Sequence, residues 1–259
     1  IQLAETSEGA VVGKRFWPGG ARLLPILVIA LGHGAAAASD WMYYGGDEGG
    51  GRYSPLDQIN RDTVGELELA WSFRTGVMAQ HADLVPLVGF HATPVLLPEE
   101  AGGHLVLCTP INWVIALDPV RGKERWRFDP EINLSPFAGR FNCRGITPWH
   151  DSDATPGQAC AWRLFMGTND RRIVALDAAS GKPCEDFGQQ GIVDVNPHVK
   201  SIGPGELDTA LQFVSPPAVI DGVVVVGSTN NAKFRNSTAP SGMVRAFDAR
   251  TGAPRWTFD

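Results

Sequence analysis

The sequence predicts an all-β chain assembled from repeated four-stranded units, the blades of a β-propeller, and three observations predict it. The first is a repeat: Ala116-Leu117-Asp118 with Gly122 and Trp126, Ala175-Leu176-Asp177 with Gly181, and Ala246-Phe247-Asp248 with Gly252 and Trp256. Self-similarity of this kind marks units that cannot each bury a core alone and must stack on their neighbours. The second is the texture between these landmarks, short β-branched, leucine-rich or aromatic runs parted by glycine and proline turns. The third is composition: 44% hydrophobic residues with 30 Gly and 19 Pro in 259 residues supply a sizeable core in a loop-rich chain. Four strands per repeat is the build of a propeller blade.

Taken in order, the first repeat offers strands over 93–97, 104–108, 114–117 and 125–128, with turns at Gly102-Gly103, Thr109-Pro110 and Arg121-Gly122. The second has a strand over 173–176 and then degenerates, with Glu185 where the Trp is due and Phe187 two residues further on. The third offers 218–220, 223–226 and 244–247. Upstream, Trp71-Ser72-Phe73 matches Trp126-Arg127-Phe128 and Trp256-Thr257-Phe258, a partial fourth copy. The repeated residues have a mechanical reading. An Asp at a strand end accepts bonds from the backbone amides of the following turn, the Gly supplies positive φ, and the flat Trp fills the gap between blades. About three blades are expected, while propellers close with typically about four to eight. The sequence therefore reads as part of a longer protein.

Residues 1–38 read as a leader. Lys14, Arg15 and Arg22 precede the apolar run 23–31, followed by small residues up to Ala38 and Ser39. Basic, apolar, small is the order of a secretory signal cleaved after Ala38, and the alternative is the end of a membrane anchor. Either places residues 39–259, the partial propeller, outside the cytoplasm. Cys108, Cys143, Cys160 and Cys184 are then free to pair, in three possible ways. Cys160 and Cys184 lie in one repeat either side of the strand 173–176, which favours that pair. There is no CxxC spacing to suggest zinc. A net charge of −6 speaks against a nucleic-acid partner.

Several stretches resemble one family. These are Asp40-Trp41-Met42-Tyr43-Tyr44-Gly45-Gly46-Asp47, Arg52-Tyr53-Ser54-Pro55-Leu56, Leu107-Cys108-Thr109-Pro110, Cys143-Arg144-Gly145 followed by His150, Lys182-Pro183-Cys184-Glu185-Asp186-Phe187-Gly188, and Ser215-Pro216-Pro217. From about residue 40 onward the chain is similar to the quinoprotein dehydrogenases that use pyrroloquinoline quinone (PQQ), in the membrane-bound glucose, quinate and shikimate branch. The resemblance implies an eight-bladed propeller, with Trp71 on an outer strand belonging to the last blade. It also implies a periplasmic enzyme that oxidises a sugar or cyclic polyol and passes electrons to a membrane quinone. A propeller scaffold of the outer-membrane assembly type shares the Ala-x-Asp-x-x-Thr-Gly repeat and is the competing expectation; it binds protein partners and has no enzyme activity.

PQQ is a flat tricarboxylate, so a site for it needs cations and donors at its edge and a divalent metal at the quinone carbonyl. Arg144 matches the family arginine that holds a cofactor carboxylate, its planar fork being suited to that task; a structural ion pair is the alternative. His150 matches the histidine that lies over the quinone, against a plain loop histidine. Ser228 matches a hydroxyl donor to the cofactor, against a turn serine. Asn230 and Asn231 fall where the family has Ca²⁺ or Mg²⁺ ligands, commonly Asp-Asn, so one negative charge is missing. His91 stands where Glu is frequent beside the cofactor, and Val214 where a Thr is usual. The family's general base, an Asp, and its carbonyl lysine belong to later blades, so no catalytic base is expected in this chain and the chain alone is expected to be inactive.

Overall fold

The computed structural model describes residues 41–134, 140–198, 211–230 and 242–259. The leader reading and Asn231 fall outside the described residues. Three four-stranded antiparallel sheets follow one another along the chain, each in simple meander order. The first consists of Val95–Leu96, Leu105–Cys108, Val114–Leu117 and Glu124–Phe128. The second consists of Thr147–His150, Trp162–Gly167, Arg172–Asp177 and Ile192–Asp194. Ala218–Ile220, Val223–Gly227, Val244–Asp248 and Pro254–Phe258 make the third. These are the expected blades, and each strand proposed within them is found within a residue or two of its place. Trp71, expected on an outer strand, lies in a stretch with no strand among the described residues, since no described chain pairs with it. No helix among the described residues is long and apolar enough to cross a membrane.

The cores lie between blades rather than inside them. Side chains alternate across a strand, so one strand can feed two different cores. Val106 and Cys108 pack toward the second blade with Leu164, Met166, Val174 and Leu176, while Leu107, Ile115 and Leu117 pack with Val77, Leu84, Trp113 and Phe141. In the second blade, Phe165, Ile173 and Ala175 turn the other way, against Phe213, Val224, Val226 and Phe247. Burial on both faces explains why these strands read as continuous apolar runs without polar alternation. Each such fully buried Phe or Leu contributes about 1.5–3 kcal/mol relative to exposure.

The repeat motif does what its chemistry suggests. Asp118 accepts from the amides of Val120 and Arg121, both at 2.9 Å; Asp177 from Ser180 at 2.8 Å; Asp248 from Arg250 at 3.0 Å and Thr251 at 2.8 Å. The glycines four residues on have φ of 64°, 71° and 70°. They are also where neighbouring units touch. A Cβ at Gly122 would come within 2.3 Å of the Trp71 ring, and one at Gly181 within 2.4 Å of Trp126. Trp71 further donates its indole N–H to Pro119 O at 3.2 Å.

The second repeat differs from the expected degenerate copy in an informative way. Neither Glu185 nor Phe187 fills the inter-blade position: Val193 does, its Cγ2 being 2.5 Å from a Cβ placed on Gly252. The Cys160–Cys184 disulfide holds the chain after Lys182 back at its own blade. Cys184 N bonds Ala175 O there, and the fourth strand starts only at Ile192. Phe187 is left to fill the core, 5.4 Å from Phe165.

Candidate functional site

Antiparallel order gives each blade two ends. At one end the Asp turns join the third strand to the fourth. At the other lie the leads into the first strands and the turns between second and third strands. The leads of the three blades are tied to one another at this second end. Thr93 donates its N–H to Arg144 O at 3.1 Å, and Arg144 donates its own to Val214 O at 2.8 Å. Val88–Phe90 also pairs in parallel with Phe141–Cys143, and a disulfide joins Cys143 to Cys108 at the end of a first-blade strand. Cysteine spacing alone left that second pairing open.

Arg144 therefore has its backbone fixed by two other blades and by the covalent bond one residue before it. Its side chain is exposed and has no hydrogen bond or ion pair with any described residue. Two residues earlier, on the same side of the extended chain, the Asn142 side-chain oxygen is buried without a partner among the described residues. His91 is exposed at the same end, its ring folded over Gly89, 3.1 Å from where a Cβ there would stand. Val214 is 2% exposed and serves through its carbonyl, so the usual Thr hydroxyl has no counterpart.

Ser228 follows the strand Val223–Gly227 at this same end, and its hydroxyl donates to the carbonyl of Met243, just before the strand Val244–Asp248, at 3.0 Å. Asn230 belongs to the two-residue strand Thr229–Asn230, opposite Leu211. Among the described residues no group of three or more His, Cys, Asp or Glu is arranged to hold a metal.

His150 is the sequence candidate that the structure sets apart. It closes the strand Thr147–His150, whereas Arg144 precedes that strand. A four-residue strand spans about 13 Å. His150 thus stands at the Asp turn end, stacked on Trp162 at 4.7 Å. Its neighbours there are a structural network, in which Arg250 grips Asp151 at 2.6 Å and Asp153 at 2.6 Å while Arg163 reaches Asp186. The Arg250 hydrogen bond holds the Asp151 carboxyl below the usual carboxylate range. Burial alone would raise the Asp248 carboxyl, but bonds from Thr251 and Arg255 outweigh it and bring it to about 2.

Residues 41–259 match the protein family described as PQQ: Glucose/ethanol/alcohol dehydrogenase, beta-propeller domain. The chain belongs to this family. Among curated relatives, quinoprotein glucose dehydrogenase A of Acinetobacter calcoaceticus is 34% identical over 235 residues, covering 86% of this chain and 28% of that protein. The quinate/shikimate dehydrogenase (quinone) of Acinetobacter baylyi is likewise 34% identical, over 85% of this chain and 27% of that protein. The crystal structure of quinohemoprotein alcohol dehydrogenase from Comamonas testosteroni superimposes with a TM-score of 0.63 at 29% identity, over 86% of this chain and 28% of that one. The chain thus spans a little over a quarter of the length of these PQQ-family relatives.

The donor set at the Arg144 end fits a PQQ-type ligand. A guanidinium without a partner among the described residues and an exposed imidazole suit carboxylates, and the Asn142 amide oxygen nearby is buried with no donor among the described residues. Sequence inspection missed Asn142, although the period-2 spacing with Arg144 was visible in Asn142-Cys143-Arg144. It also missed the role of the Val214 carbonyl, which no local pattern announces.

Proposed function

We propose that this chain is part of a periplasmic PQQ-dependent dehydrogenase that oxidises a hydroxyl of a sugar or cyclic polyol and passes the electrons to a membrane quinone. The observation that carries the proposal is Arg144: a charged fork with no hydrogen bond or ion pair to any described residue, on a backbone held by two neighbouring blades, in a chain of the PQQ propeller family. When bound, PQQ supplies a two-electron acceptor for the oxidation of a hydroxyl to a carbonyl. Arg144 would bind one of its carboxylates through two parallel N–H bonds, and His91 would assist when protonated. Pinning the Arg144 backbone lowers the entropy lost on binding, which preorganises the site. Ser228 ties the end of the third blade's second strand to Met243 O, at the start of its third strand.

Asn230 and Asn231 would offer side-chain oxygens to Ca²⁺ or Mg²⁺, hard cations that take oxygen ligands. The proposed division is a leader over 1–38 and a propeller portion over 39–259. Two disulfides support an oxidising compartment, and with it the periplasm. The general base is assigned to blades beyond this chain. The full-length protein is expected to reduce an artificial dye with glucose or quinate only after both PQQ and Ca²⁺ or Mg²⁺ are added. A protein that binds PQQ and metal yet reduces no dye with any sugar, polyol or hydroxy acid would contradict this assignment.

A further inference from the structure

The ribbon formed by Val88–Phe90 and Phe141–Cys143 has two unlike sides. Its strands are parallel and in register, with Gly89 beside Asn142, so paired residues turn to the same side of the pleat. Val88, Phe141 and Cys143 make up the apolar side and pack into the blade cores, with Phe90 half exposed at its end. The other side carries Gly89 and Asn142, and the alternation continues it through His91 and Arg144. Such a set packs little and offers donors and acceptors instead.

Gly89 leaves a gap in this polar side. The three heavy atoms nearest to a Cβ placed there, at 3.1, 3.1 and 3.8 Å, all belong to the His91 ring. His91 is exposed, so turning its side chain outward to another rotamer opens the floor beside Asn142. The Asn142 side-chain oxygen is buried, and its amide forms no hydrogen bond with a described residue. A buried acceptor without a donor costs stability until a bound group supplies one.

That donor is a different part of the ligand from the part Arg144 takes. The guanidinium suits a carboxylate, which has no proton to give. Residues two apart in an extended chain stand about 6.5 Å apart at the backbone, a gap that the long arginine side chain can close. We propose that the polar side of this ribbon is the floor of the ligand site and that Asn142 sets specificity there. Its amide oxygen accepts from an N–H or O–H that adjoins the carboxylate on Arg144. This assignment depends on Arg144 being the carboxylate anchor of the proposed dehydrogenase. Two ligands carry the required chemistry. One is PQQ, whose pyrrole N–H adjoins a ring carboxylate; the other is a hydroxy acid such as the quinate in the name of one relative, whose hydroxyl adjoins its carboxylate.

The test compares pyrrole-2-carboxylate with furan-2-carboxylate, binding to the quinone-free full-length protein being followed by ligand-detected NMR. The two acids share size and charge, but the furan oxygen replaces the N–H donor with an acceptor. The wild type should bind the pyrrole acid about tenfold more tightly, as for one hydrogen bond made against one buried acceptor left unmet. Asn142→Leu, close in shape, should erase that preference while the unfolding midpoint stays level or rises, a result that a merely structural asparagine would not give. Gly89→Val, a substitution that a strand accepts, should fill the floor and weaken both acids at least about tenfold in a folded protein. PQQ bound about tenfold more weakly by Asn142→Leu assigns the donor to the cofactor. An unchanged PQQ affinity with a raised KM for quinate but not for glucose assigns it to the substrate. Equal binding of the two acids by the wild type, no binding of the pyrrole acid, or a preference that survives Asn142→Leu overturns the assignment, and PQQ binding that still depends on Arg144 would leave the dehydrogenase reading standing. An Asn142-dependent preference in a protein that binds no PQQ would instead keep the floor and sink the dehydrogenase reading.

Discussion

The two ends of the blades are built from one repeat yet differ in chemical completeness. At the Asp turn end the three blades are alike: Asp118, Asp177 and Asp248 each have their turn amides, and the glycines after them touch a neighbouring unit, the buried Trp126 indole N–H being the group there without a partner among the described residues. At the Arg144 end each blade is different, and among the described residues polar groups are left over, namely the Arg144 guanidinium and the Asn142 oxygen. A repeat that satisfies itself is doing structural work. The departures from it, where charge remains unpaired on a fixed backbone, are where a ligand belongs.

The contrast can be broken at either end. The largest effect is expected from Gly181→Val in the full-length protein. Both the φ of 71° and the Trp126 ring at 2.4 Å resist the side chain, so a loss of at least about 3 kcal/mol should appear in denaturant unfolding, with little change in PQQ affinity per folded molecule. Replacing Cys108 and Cys143 by Ser opens a link across 35 residues, and a loss of about 2–4 kcal/mol is expected by the same measurement. This pair spans both roles, because Cys143 precedes Arg144, so PQQ binding should weaken as well.

Arg144→Ala should do the reverse of Gly181→Val, weakening PQQ about tenfold to a hundredfold while the unfolding midpoint stays nearly unchanged. The Asp turn end should also announce itself in acid. The Asp248 carboxyl sits at about 2 when folded, against about 3.9 for an unperturbed Asp. A lowered folded value means stability that is present above about pH 4 and lost as pH falls toward 2. Asp118 and Asp151 are lowered too and add to the same slope. A melting temperature flat between pH 5 and about 2 would remove these carboxylates from the account. The smallest effect is expected for His150→Ala, about 1 kcal/mol or less for the lost stack on Trp162.

How much of this was legible depends on the distance in sequence over which a group acts. The Asp and Gly of each turn act within four residues, and their roles could be read directly. So could the strands, whose apolar runs declare two-sided burial. Val193 in place of the missing Trp was hidden, because a disulfide shifts the fourth strand and no local pattern carries that shift. Arg144 was named by resemblance, but its fixation comes from Thr93, Val214 and Cys108, each in another repeat. His150 shows the opposite case. Close to Arg144 in sequence, it lies a strand length away, since an extended chain carries residues apart rather than together.

A titration of the quinone-free full-length protein with PQQ, run in parallel for wild type, Arg144→Ala and His150→Ala, tests the division between the two ends most directly. The account predicts tight binding by the wild type, the same binding by His150→Ala, and a curve shifted at least about tenfold for Arg144→Ala. Binding lost with His150 and kept without Arg144 would place the quinone at the Asp turn end and contradict it.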